Sequence, residues 1–596
     1  VPGTTYSKDY LNLSDQSGYK QLNVFYGLKA EPSSHYAQDA AFTNTHSVFP
    51  TANLKEVTKG VAIPAGLQLI PNRGEQVKRS FTDVNSFPNQ DTDVRVNDEL
   101  KLKDGTALGT VYKLDFDNNE ITILKGPSKR ALHPTAVTNL KNISAKIKED
   151  AIISFASFVA DFGFDVDDNS YWKPAIDLLL KKSPDYSSEP LAHSDLIQNT
   201  FNKLQVLNNS ILSIQGPPGT GKSHTAAHLI IKLIAQGKKI GIAALSHKVI
   251  ENLISKVHEI NQTDYKLSIM TIQKVSSDDN KDLAYWHKIK DIDTIVSQLP
   301  TANIIAGTSF FFANNKVQGA LDYLFVDEAG QLSLVDTLSM VASAKNLVLL
   351  GDPQQLQQPQ QGTHPYNTEV SALEHVLDGA ATITDDKGVF LAKTWRMHPK
   401  LTQFVSINFY ENKLFSVDGL ENQLIKGSLA FPNPGIYIDE VNHEANTNES
   451  KEEANRVIAI LKDLLDGTKT FIDKVGLERT LQATDIKIIT PYNAQLQLIN
   501  KLIVQHNLPS IQIGTVDKFQ GQEGPVIICS MATSSAEDAP RGMDFIYSPN
   551  RLNVAVSRAK ALFIMVASKK LFEANCKSPK QLKLVNPFCS LREHSL

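Results

Sequence analysis

The octapeptide GPPGTGKS, residues 216–223, contains residue types that can bind the phosphates of a nucleotide. It fits the pattern G-x-x-x-x-G-K-[ST], follows a short apolar run and precedes a helical pattern that ends near Gly237. In that setting, glycines let backbone N–H groups point into one concavity, and the N-terminus of the helix adds positive potential. We therefore predict that Lys222 reaches the outer phosphates of a nucleotide and that the Ser223 hydroxyl holds Mg²⁺. The other predicted contacts in this turn are Gly216, Gly219, Thr220 and Gly221.

Two further apolar runs end in side chains suited to hydrolysis. In DYLFVDEAGQLS, Asp327 and Glu328 follow the apolar run, and in NLVLLGDPQQLQQ the corresponding polar residues are Asp352, Gln354 and Gln355. Asp327 would help to hold the metal, Glu328 would orient and deprotonate the attacking water, and Gln355 would lie near the γ-phosphate. Taken alone, an Asp-Glu pair after a strand more often caps a helix, and a glutamine-rich segment is a polar loop. Their order after the phosphate-binding turn favours the catalytic interpretation.

These side chains require strands that deliver them to one edge of a sheet. From residue 196 onward, continuous apolar runs alternate with helical patterns, which indicates parallel sheets covered on both faces. Two sets of runs predict two α/β domains in tandem, with a boundary near residue 380. The first set of predicted strands is Ile211–Gln215, Ile240–Leu245, Asn303–Ala306, Tyr323–Val326 and Leu347–Leu350. The second set is Val389–Leu391, Ile486–Ile489, Ile511–Gly514, Val526–Ser530 and Leu562–Val566.

The part of the chain before the phosphate-binding turn has a different texture. Residues 94–126 alternate apolar and polar side chains between turn signals, which predicts a small β-barrel that serves either as a structural module or as a nucleic-acid contact. Residues 137–182 carry apolar side chains at helical spacing. The predicted domains are an N-terminal region of unclear fold at 1–80, the small barrel at 81–135, a helical stalk and linker at 136–195, and α/β domains at 196–380 and 381–596.

Composition sets broad limits on the class of protein. Among 596 residues there are three cysteines, none at C-x-x-C spacing, so a disulfide framework and a structural zinc site are not expected. No apolar run reaches 18 residues and no signal peptide is indicated, so we expect a cytoplasmic protein without a membrane partner. The net charge of −4 neither favours nor excludes nucleic acid, because binding needs only a local basic groove.

Six motifs in this chain, taken in order, resemble those of superfamily-1 helicases of the Upf-like branch. That branch includes the nonsense-mediated-decay helicase and the helicase part of the Dna-two nuclease-helicases. The motifs span about residues 196–570 and are GPPGTGKS, DEAGQ, GDPQQL, TWRMHP, TVDKFQGQE and NRLNVAVSRAK. Two other segments, QGTHPYNTEVSALEHVL and SMATSSAEDAPRGMDF, look like bacterial proteins in which a RecB-like nuclease precedes such a helicase. No convincing set of nuclease carboxylates occurs in residues 1–80, so a nuclease is expected only as a partner or as a lost fused domain.

The resemblance implies two RecA-like P-loop domains and a role for several further residues. Gln198 resembles the glutamine that reads adenine, although Asn199 is an alternative register, and the ring of Trp395 would stack on adenine. Arg396 and Arg558 would reach the γ-phosphate from the second α/β domain, and Glu523 resembles a second-domain contact to the nucleotide. The variable position of the DEAxQ motif is Gly330, which the resemblance leaves without a particular role.

The resemblance also implies translocation on single-stranded nucleic acid with 5′→3′ polarity, DNA being favoured over RNA although no motif decides between them. Hydroxyls and aromatic rings at strand ends hold phosphates and bases without reading sequence. Alternative functions are an RNA helicase, or a nucleic-acid-stimulated ATPase that clamps or remodels without unwinding. The predicted strand contacts are Ser246, Thr308, Pro491, Tyr492 and Thr515, with Arg551 as a weaker candidate.

Overall fold

A computed structural model describes residues 67–88, 94–102, 104–115, 118–139, 144–167, 170–276, 285–358, 370–519 and 521–596. The predictions for residues 1–66 lie outside this part of the chain. The described chain divides into two compact units. The first unit contains Ser144–Arg396 and Val405–Val417, and the second contains residues 67–139, Met397–Phe404 and Asp418–Leu596. None of the described helices is both long and apolar enough to cross a membrane.

The first unit is built on a sheet of eight strands in which every neighbouring pair is parallel. Along Ala344–Gly351, the side chains of Leu347 and Leu349 join one apolar cluster, whereas those of Val348 and Leu350 join another. Because successive side chains of a strand point to opposite faces, both faces of this sheet are covered. In spatial order the strands are Trp286–Ile289, Thr271–Lys274, Ile304–Gly307, Ile240–Ala243, Leu321–Val326, Ala344–Gly351, Ile211–Gln215 and Gly388–Phe390.

Helices that begin at polar capping residues cover this sheet. The side chains of Asp195, Ser246 and Ser333 each accept a hydrogen bond from a backbone N–H in the first turn of the helix that they precede. The helices of the first unit are Lys146–Phe162, Lys173–Leu179, Leu196–Gln205, Lys222–Ala235, His247–Ile260, Ile292–Gln298, Ser309–Phe312, Leu334–Met340 and Ala372–Leu377. The helix Pro399–Phe409 begins in the second unit and ends in the first.

The second unit contains a smaller parallel sheet of five strands. Its strands, in spatial order, are Gly435–Glu440, Ala559–Ala567, Gly524–Ser530, Ile486–Ile489 and Gln512–Gly514. The helices of this unit are Lys451–Leu464, Asn493–Gln505, Met543–Ile546, Pro549–Val556 and Pro579–Glu593. A separate antiparallel sheet consists of Leu424–Lys426, Thr470–Ile472 and Glu478–Thr480. Two α/β units with parallel sheets were predicted, and this fold class is confirmed.

Residues 67–139 form a second antiparallel sheet with its own apolar core. Its strands are Gln68–Leu69, Ser80–Ser86, Glu120–Lys125, Ala107–Asp115 and Glu99–Lys101, and Gln76–Val77 pairs with Ser80–Ser86. The amide of Leu67 donates to the carbonyl of Thr135 (2.9 Å), and Lys101 and Thr138 exchange two backbone hydrogen bonds. The segment 135–138 thus contacts both ends of the row of strands. Closure into the predicted barrel stays a prediction.

Three features of the fold differ from the sequence-based expectation. The strand expected to open the second sheet lies at Gly388–Phe390 and pairs with Ile211–Gln215 in the first sheet. The strands Thr271–Lys274, Trp286–Ile289 and Gly435–Glu440 were not predicted, because they are short or mixed in polarity. The small sheet begins at Gln68 rather than after residue 80, since its first two strands have two residues each and no detectable alternation.

Candidate functional site

The predicted phosphate-binding turn joins the strand Ile211–Gln215 to the helix Lys222–Ala235. Gly219 and Gly221 have positive φ angles of 75° and 79°, which glycine adopts without steric strain. A Cβ added at Gly219 would lie 2.6 Å from Thr394 Oγ1 and 2.7 Å from Arg396 Cβ. A side chain is therefore excluded at Gly219 both by backbone conformation and by space.

Lys222 lies among the charged side chains that the sequence motifs predicted to converge. Its ammonium group donates a hydrogen bond to the carbonyl of Gly216. Burial lowers the pKa of Lys222, and the nearby carboxylates of Asp352, Asp327 and Glu328 oppose that shift. The guanidinium of Arg396 lowers the pKa of Lys222 further. Two cations and three carboxylates thus act on one another within the first unit.

Asp327 and Glu328 follow the strand Leu321–Val326 directly. Asp327 is buried, and burial raises the pKa of its carboxyl group, while a hydrogen bond from the amide of Glu328 (2.9 Å) and the charge of Lys222 oppose that shift. Glu328 has a φ of 55°, a left-handed conformation that is unusual for a residue other than glycine. Such strain persists where the surroundings over-determine the conformation, and it concentrates at functional sites.

The loop after Ala344–Gly351 is held by a group of polar side chains that sequence reasoning missed. The hydroxyl of Tyr410 donates to Asp352 Oδ2 (2.6 Å), and Gln355 Nε2 donates to the same oxygen (2.8 Å). Gln215 Nε2 donates to Asp352 Oδ1 (3.4 Å). Tyr410 lies in an apolar helical pattern that predicts only packing. Gln215 carried a detectable signal, because it is a polar side chain at the end of the buried strand ILSIQ.

Gly330 has a structural role that its place in a variable motif position did not suggest. A Cβ added at Gly330 would lie 2.5 Å from the backbone carbonyl carbon and oxygen of Asp352. A Cβ on Gly351 would collide with the amide of Gly330. The amide of Ala329 also donates to the carbonyl of Leu350 (2.7 Å). The two glycines therefore let the segment after Asp327 approach the segment that carries Asp352.

The two residues predicted to contact adenine lie in the first unit, at opposite ends of the turn and its helix. The amide of Trp395 donates to the carbonyl of Gly219 (2.8 Å), and its side chain is 59% exposed. The side-chain oxygen of Gln198 accepts a hydrogen bond from Lys232 (2.9 Å) in the last turn of the helix Lys222–Ala235. Asn199, the alternative register, instead accepts from the amide of His193 (3.0 Å).

The residues of the first unit fit ATP and Mg²⁺. A Cβ at Gly216 would collide with the side chain of Lys222, so the absence of a side chain at Gly216 lets Lys222 pack against the turn. The Ser223 hydroxyl is on an exposed side chain at the start of the helix, and Thr220 is fixed through a hydrogen bond to the carbonyl of Pro217 (2.8 Å). Ser223 and Asp327 would hold Mg²⁺ together with phosphate oxygens, which matches the oxygen donors that this ion prefers.

The structure places Arg396 in the first unit, although it was expected to come from the second α/β domain. The reason is that the chain remains with the first sheet through Gly388–Phe390 before it enters the second unit at Met397. Arg558 and Glu523 lie in the second unit. Arg558 is buried and its carbonyl accepts from the amide of Gly524 (3.1 Å), whereas Glu523 is exposed and pairs with Lys560 (2.9 Å).

Comparison with known proteins gives consistent matches over the region of the motifs. Two family models, each described as an AAA domain, match residues 198–375 and 368–570. The DNA polymerase alpha-associated DNA helicase A of Schizosaccharomyces pombe is 24% identical over 411 residues, which cover 60% of this chain and 61% of that protein. The DNA replication ATP-dependent helicase/nuclease DNA2 of Saccharomyces cerevisiae is 26% identical over 384 residues, 60% of this chain and 24% of that protein.

A third relative is the regulator of nonsense transcripts 1 homolog of Drosophila melanogaster, which is 26% identical over 401 residues, 60% of this chain and 33% of that protein. Over the region of the motifs, the chain is similar to superfamily-1 helicases of the Upf-like and DNA2-like kind. The resemblance predicted from the six motifs is confirmed. The chain spans between about a quarter and three-fifths of the length of these relatives.

A solved arterivirus nonstructural protein 10 helicase in complex with DNA aligns with 63% of this chain and 62% of that chain. The identity is 15% and the TM-score is 0.32, a similarity too low to support a conclusion about the fold.

The side chains predicted to contact nucleic acid differ in their exposure. Ser246 is exposed and caps the helix His247–Ile260, and Thr308 precedes the helix Ser309–Phe312. Pro491 and Thr515 are half-buried. Tyr492 is fully buried, and its ring centroid lies 5.6 Å from that of Phe545. Its burial argues against the expected stacking of Tyr492 on a base.

Proposed function

We propose that this helicase-family chain hydrolyses ATP to move along single-stranded nucleic acid in the 5′→3′ direction, and that it separates duplexes. The observation that carries the proposal is that neighbouring parallel strands bring the segments of Lys222, Asp327, Glu328 and Asp352 to one edge of the first sheet, with Arg396 beside the turn at Gly219. The fold can form without a lysine and three carboxylates at one edge of its sheet. Phosphoryl transfer, in contrast, uses cationic and carboxylate groups placed together in this way.

In the proposed reaction, water attacks the γ-phosphorus of ATP, and the bond from that phosphorus to the β–γ bridging oxygen breaks, releasing ADP. Glu328 accepts the proton of the attacking water. Lys222 and Arg396 stabilise the charge on the transferring phosphoryl group, because cationic donors are strong partners of phosphate oxygens. Mg²⁺ bound by Ser223 and Asp327 would supply further charge neutralisation. Gln355 is proposed to contact the γ-phosphate.

The other site residues keep the roles that the family resemblance implies. Trp395 and Gln198 are proposed to contact adenine, and the exposed indole of Trp395 supports stacking. Arg558 is proposed as a second guanidinium donor to the γ-phosphate, and Glu523 as a further contact to the nucleotide. Ser246, Thr308, Pro491 and Thr515 are proposed to contact the strand without reading sequence.

DNA is the proposed strand, because helicase A and DNA2 are named as DNA enzymes. RNA is the second candidate, since another relative is a putative ATP-dependent RNA helicase, ECM32 of Saccharomyces cerevisiae. The DNA2 relative is named as a helicase/nuclease, so a nuclease, either fused or separate, is proposed as a partner. A cytoplasmic location stays a prediction.

The proposal is tested by measuring ATP turnover with matched single-stranded DNA and RNA oligonucleotides at two salt concentrations. We expect DNA to stimulate turnover more than RNA, and the stimulation to weaken with salt because phosphate contacts release counterions. Lys222→Ala should abolish turnover and Arg558→Ala should slow it while leaving strand binding intact. Equal turnover with and without either nucleic acid would contradict the proposal.

Duplex unwinding needs a separate measurement. Displacement of a labelled strand should be faster from a fork with a 5′ single-stranded tail than from one with a 3′ tail. Nucleic-acid-stimulated turnover without displacement from either fork would instead identify an ATPase that clamps or remodels its substrate.

A further inference from the structure

Two arginines stack on one phenylalanine in the second unit. The guanidinium carbon of Arg541 lies 4.1 Å from the centroid of the Phe545 ring, and that of Arg551 lies 4.6 Å from it. The Phe545 ring also contacts the buried ring of Tyr492. We call these three residues, Arg541, Phe545 and Arg551, the arginine–phenylalanine cluster. Guanidinium groups over an aromatic face are held flat, which leaves their N–H edges oriented for other acceptors.

The cluster lies at the edge of the second parallel sheet where the strands end. Tyr492, which contacts Phe545, follows the strand Ile486–Ile489. Arg551 pairs with Asp517 (3.1 Å), which follows the neighbouring strand Gln512–Gly514. Ligands of open α/β sheets bind outside the carboxyl ends of the strands. The cluster therefore occupies the side of the sheet at which a ligand is expected.

The charges of the two arginines are balanced differently. Arg551 forms an ion pair with Asp517, whereas Arg541 is exposed and pairs with no carboxylate of the described residues. Lys518, beside Asp517, is also exposed. The surface therefore combines the exposed guanidinium of Arg541, a half-buried aromatic ring and, next to Asp517 in sequence, the exposed Lys518. This combination suits a phosphodiester with an adjacent base, since phosphate oxygens accept from guanidinium groups and bases stack on guanidinium planes.

We infer that the arginine–phenylalanine cluster binds the phosphodiester backbone of single-stranded nucleic acid, with Arg541 as the principal phosphate contact. The inference rests on the proposed function and adds a binding surface to it. It also gives Tyr492 a different role from the one expected from the sequence. Tyr492 contacts the Phe545 ring, and both guanidinium groups lie over that ring, so the group offered to the strand is the exposed guanidinium of Arg541.

The test uses the full chain and a labelled single-stranded oligonucleotide, with binding followed by fluorescence anisotropy over a series of salt concentrations. Arg541→Ala should weaken binding about fivefold at low salt and reduce the slope of log affinity against log salt by about 0.7, the value for one lost phosphate contact on a single strand. Arg541→Lys should keep the slope but recover only part of the affinity, since an ammonium loses the planar stack.

Arg592→Ala provides the matched control. Arg592 lies in the same unit, and its guanidinium carbon is 5.5 Å from the centroid of the Phe572 ring. It pairs with Glu440 (2.7 Å), whose strand lies at the opposite edge of the five-stranded sheet. Its replacement should leave affinity and salt slope unchanged. Wild-type affinity and slope in Arg541→Ala would overturn the inference while leaving the proposed function intact. Failure of the wild-type chain to bind single strands would overturn the proposed function and the cluster's role with it.

Discussion

The two parallel sheets end in polar side chains that are used in different ways. At the end of the first sheet, Lys222, Asp327 and Asp352 interact within a site whose turn residues include the exposed Ser223. At the end of the second sheet, the carboxylate of Glu453 is fully buried and satisfied from within the protein. The architecture of alternating strands and helices is shared, whereas the chemistry of the segments after the strands is not.

Glu453 is held by hydrogen bonds and an ion pair from within the second unit. Its carboxylate accepts hydrogen bonds from Ser530 Oγ (2.7 Å) and from the amide of Ala532 (2.8 Å), and it pairs with His443 Nε2 (3.0 Å). The other ring nitrogen of His443 is hydrogen-bonded to Ser534 (2.8 Å). A carboxylate in this setting fixes the segment after Gly524–Ser530, whereas the carboxylates of the first unit act on the charge of Lys222.

The largest effect is expected from a substitution that forces apart the two acidic segments of the first unit, which carry Asp327 and Asp352. Gly330→Ala would place a methyl group 2.5 Å from the backbone of Asp352, so the two segments must separate. We expect ATP turnover to fall about a hundredfold, as small misplacements of catalytic groups do, and the free energy of unfolding to fall by about 3 kcal/mol. Turnover and urea denaturation measure the two effects.

Gly126→Ala is the control for this substitution, because Gly126 has a φ of −70° and no atom within 4 Å of an added Cβ. Its turnover and stability should equal those of the wild type. Normal stability and turnover in Gly330→Ala would show that the crowding at this position has no consequence.

The sequence predicts which segments converge in the first unit because the signals for those segments are local. A glycine turn between a strand and a helix, and carboxylates directly after apolar runs, are read from contiguous residues such as 216–223 and 324–328. Parallel strands then bring these segments to one edge, as the pairing of Leu321–Val326 with Ala344–Gly351 and of the latter with Ile211–Gln215 shows. The placement of Lys222 near Asp327 and Asp352 follows from this topology.

The sequence does not predict contacts that depend on distant segments. Tyr410 reaches Asp352 across 58 positions, and its pattern resembles any buried aromatic residue. The importance of Gly330 arises from the backbone of another strand end, and the burial of Tyr492 arises from packing beside Phe545. The unit to which Arg396 belongs was also missed, because a short strand such as Gly388–Phe390 can extend either sheet.

An intermediate effect is expected when the buried network of the second unit is broken. Glu453→Ala removes the carboxylate that accepts hydrogen bonds from the Ser530 hydroxyl and the Ala532 amide. Both buried donors then lose this acceptor. We expect the free energy of unfolding to fall by about 3 kcal/mol, the range for removal of one partner of a buried pair. Urea denaturation followed by circular dichroism measures this change.

The matched control is Glu444→Ala, whose carboxylate is exposed and pairs with Lys570 (2.7 Å). Exposed ion pairs contribute little to stability, so no measurable change is expected. Equal stability of the Glu453 and Glu444 variants would show that the buried hydrogen bonds of Glu453 do not stabilise the second unit.

The smallest effect is expected from removing a single hydroxyl that joins the end of the helix Pro399–Phe409 to the first site. Tyr410→Phe keeps the buried ring and deletes the hydrogen bond to Asp352, the carboxylate with the largest effect on Lys222 among the nearby charges. Because Asp352 also holds the amide of Gln355, we expect kcat for ATP to fall about fivefold to tenfold while KM changes less than about twofold, the pattern of an interaction that matters mainly in the transition state. Steady-state ATP turnover measures both constants.

Tyr323→Phe separates this effect from simple loss of a buried hydrogen bond. The Tyr323 hydroxyl is also buried in the first unit, but it donates to the carbonyl of Leu204 (2.7 Å), away from the charged site. Each variant should lose about 1–2 kcal/mol of stability, since each loses one buried hydrogen bond. If kcat falls equally in both variants, the loss reflects general destabilisation, and Tyr410 has no particular role in positioning Asp352. If kcat falls in Tyr410→Phe alone, the phenol links the Asp352 loop to the segment that begins with Arg396.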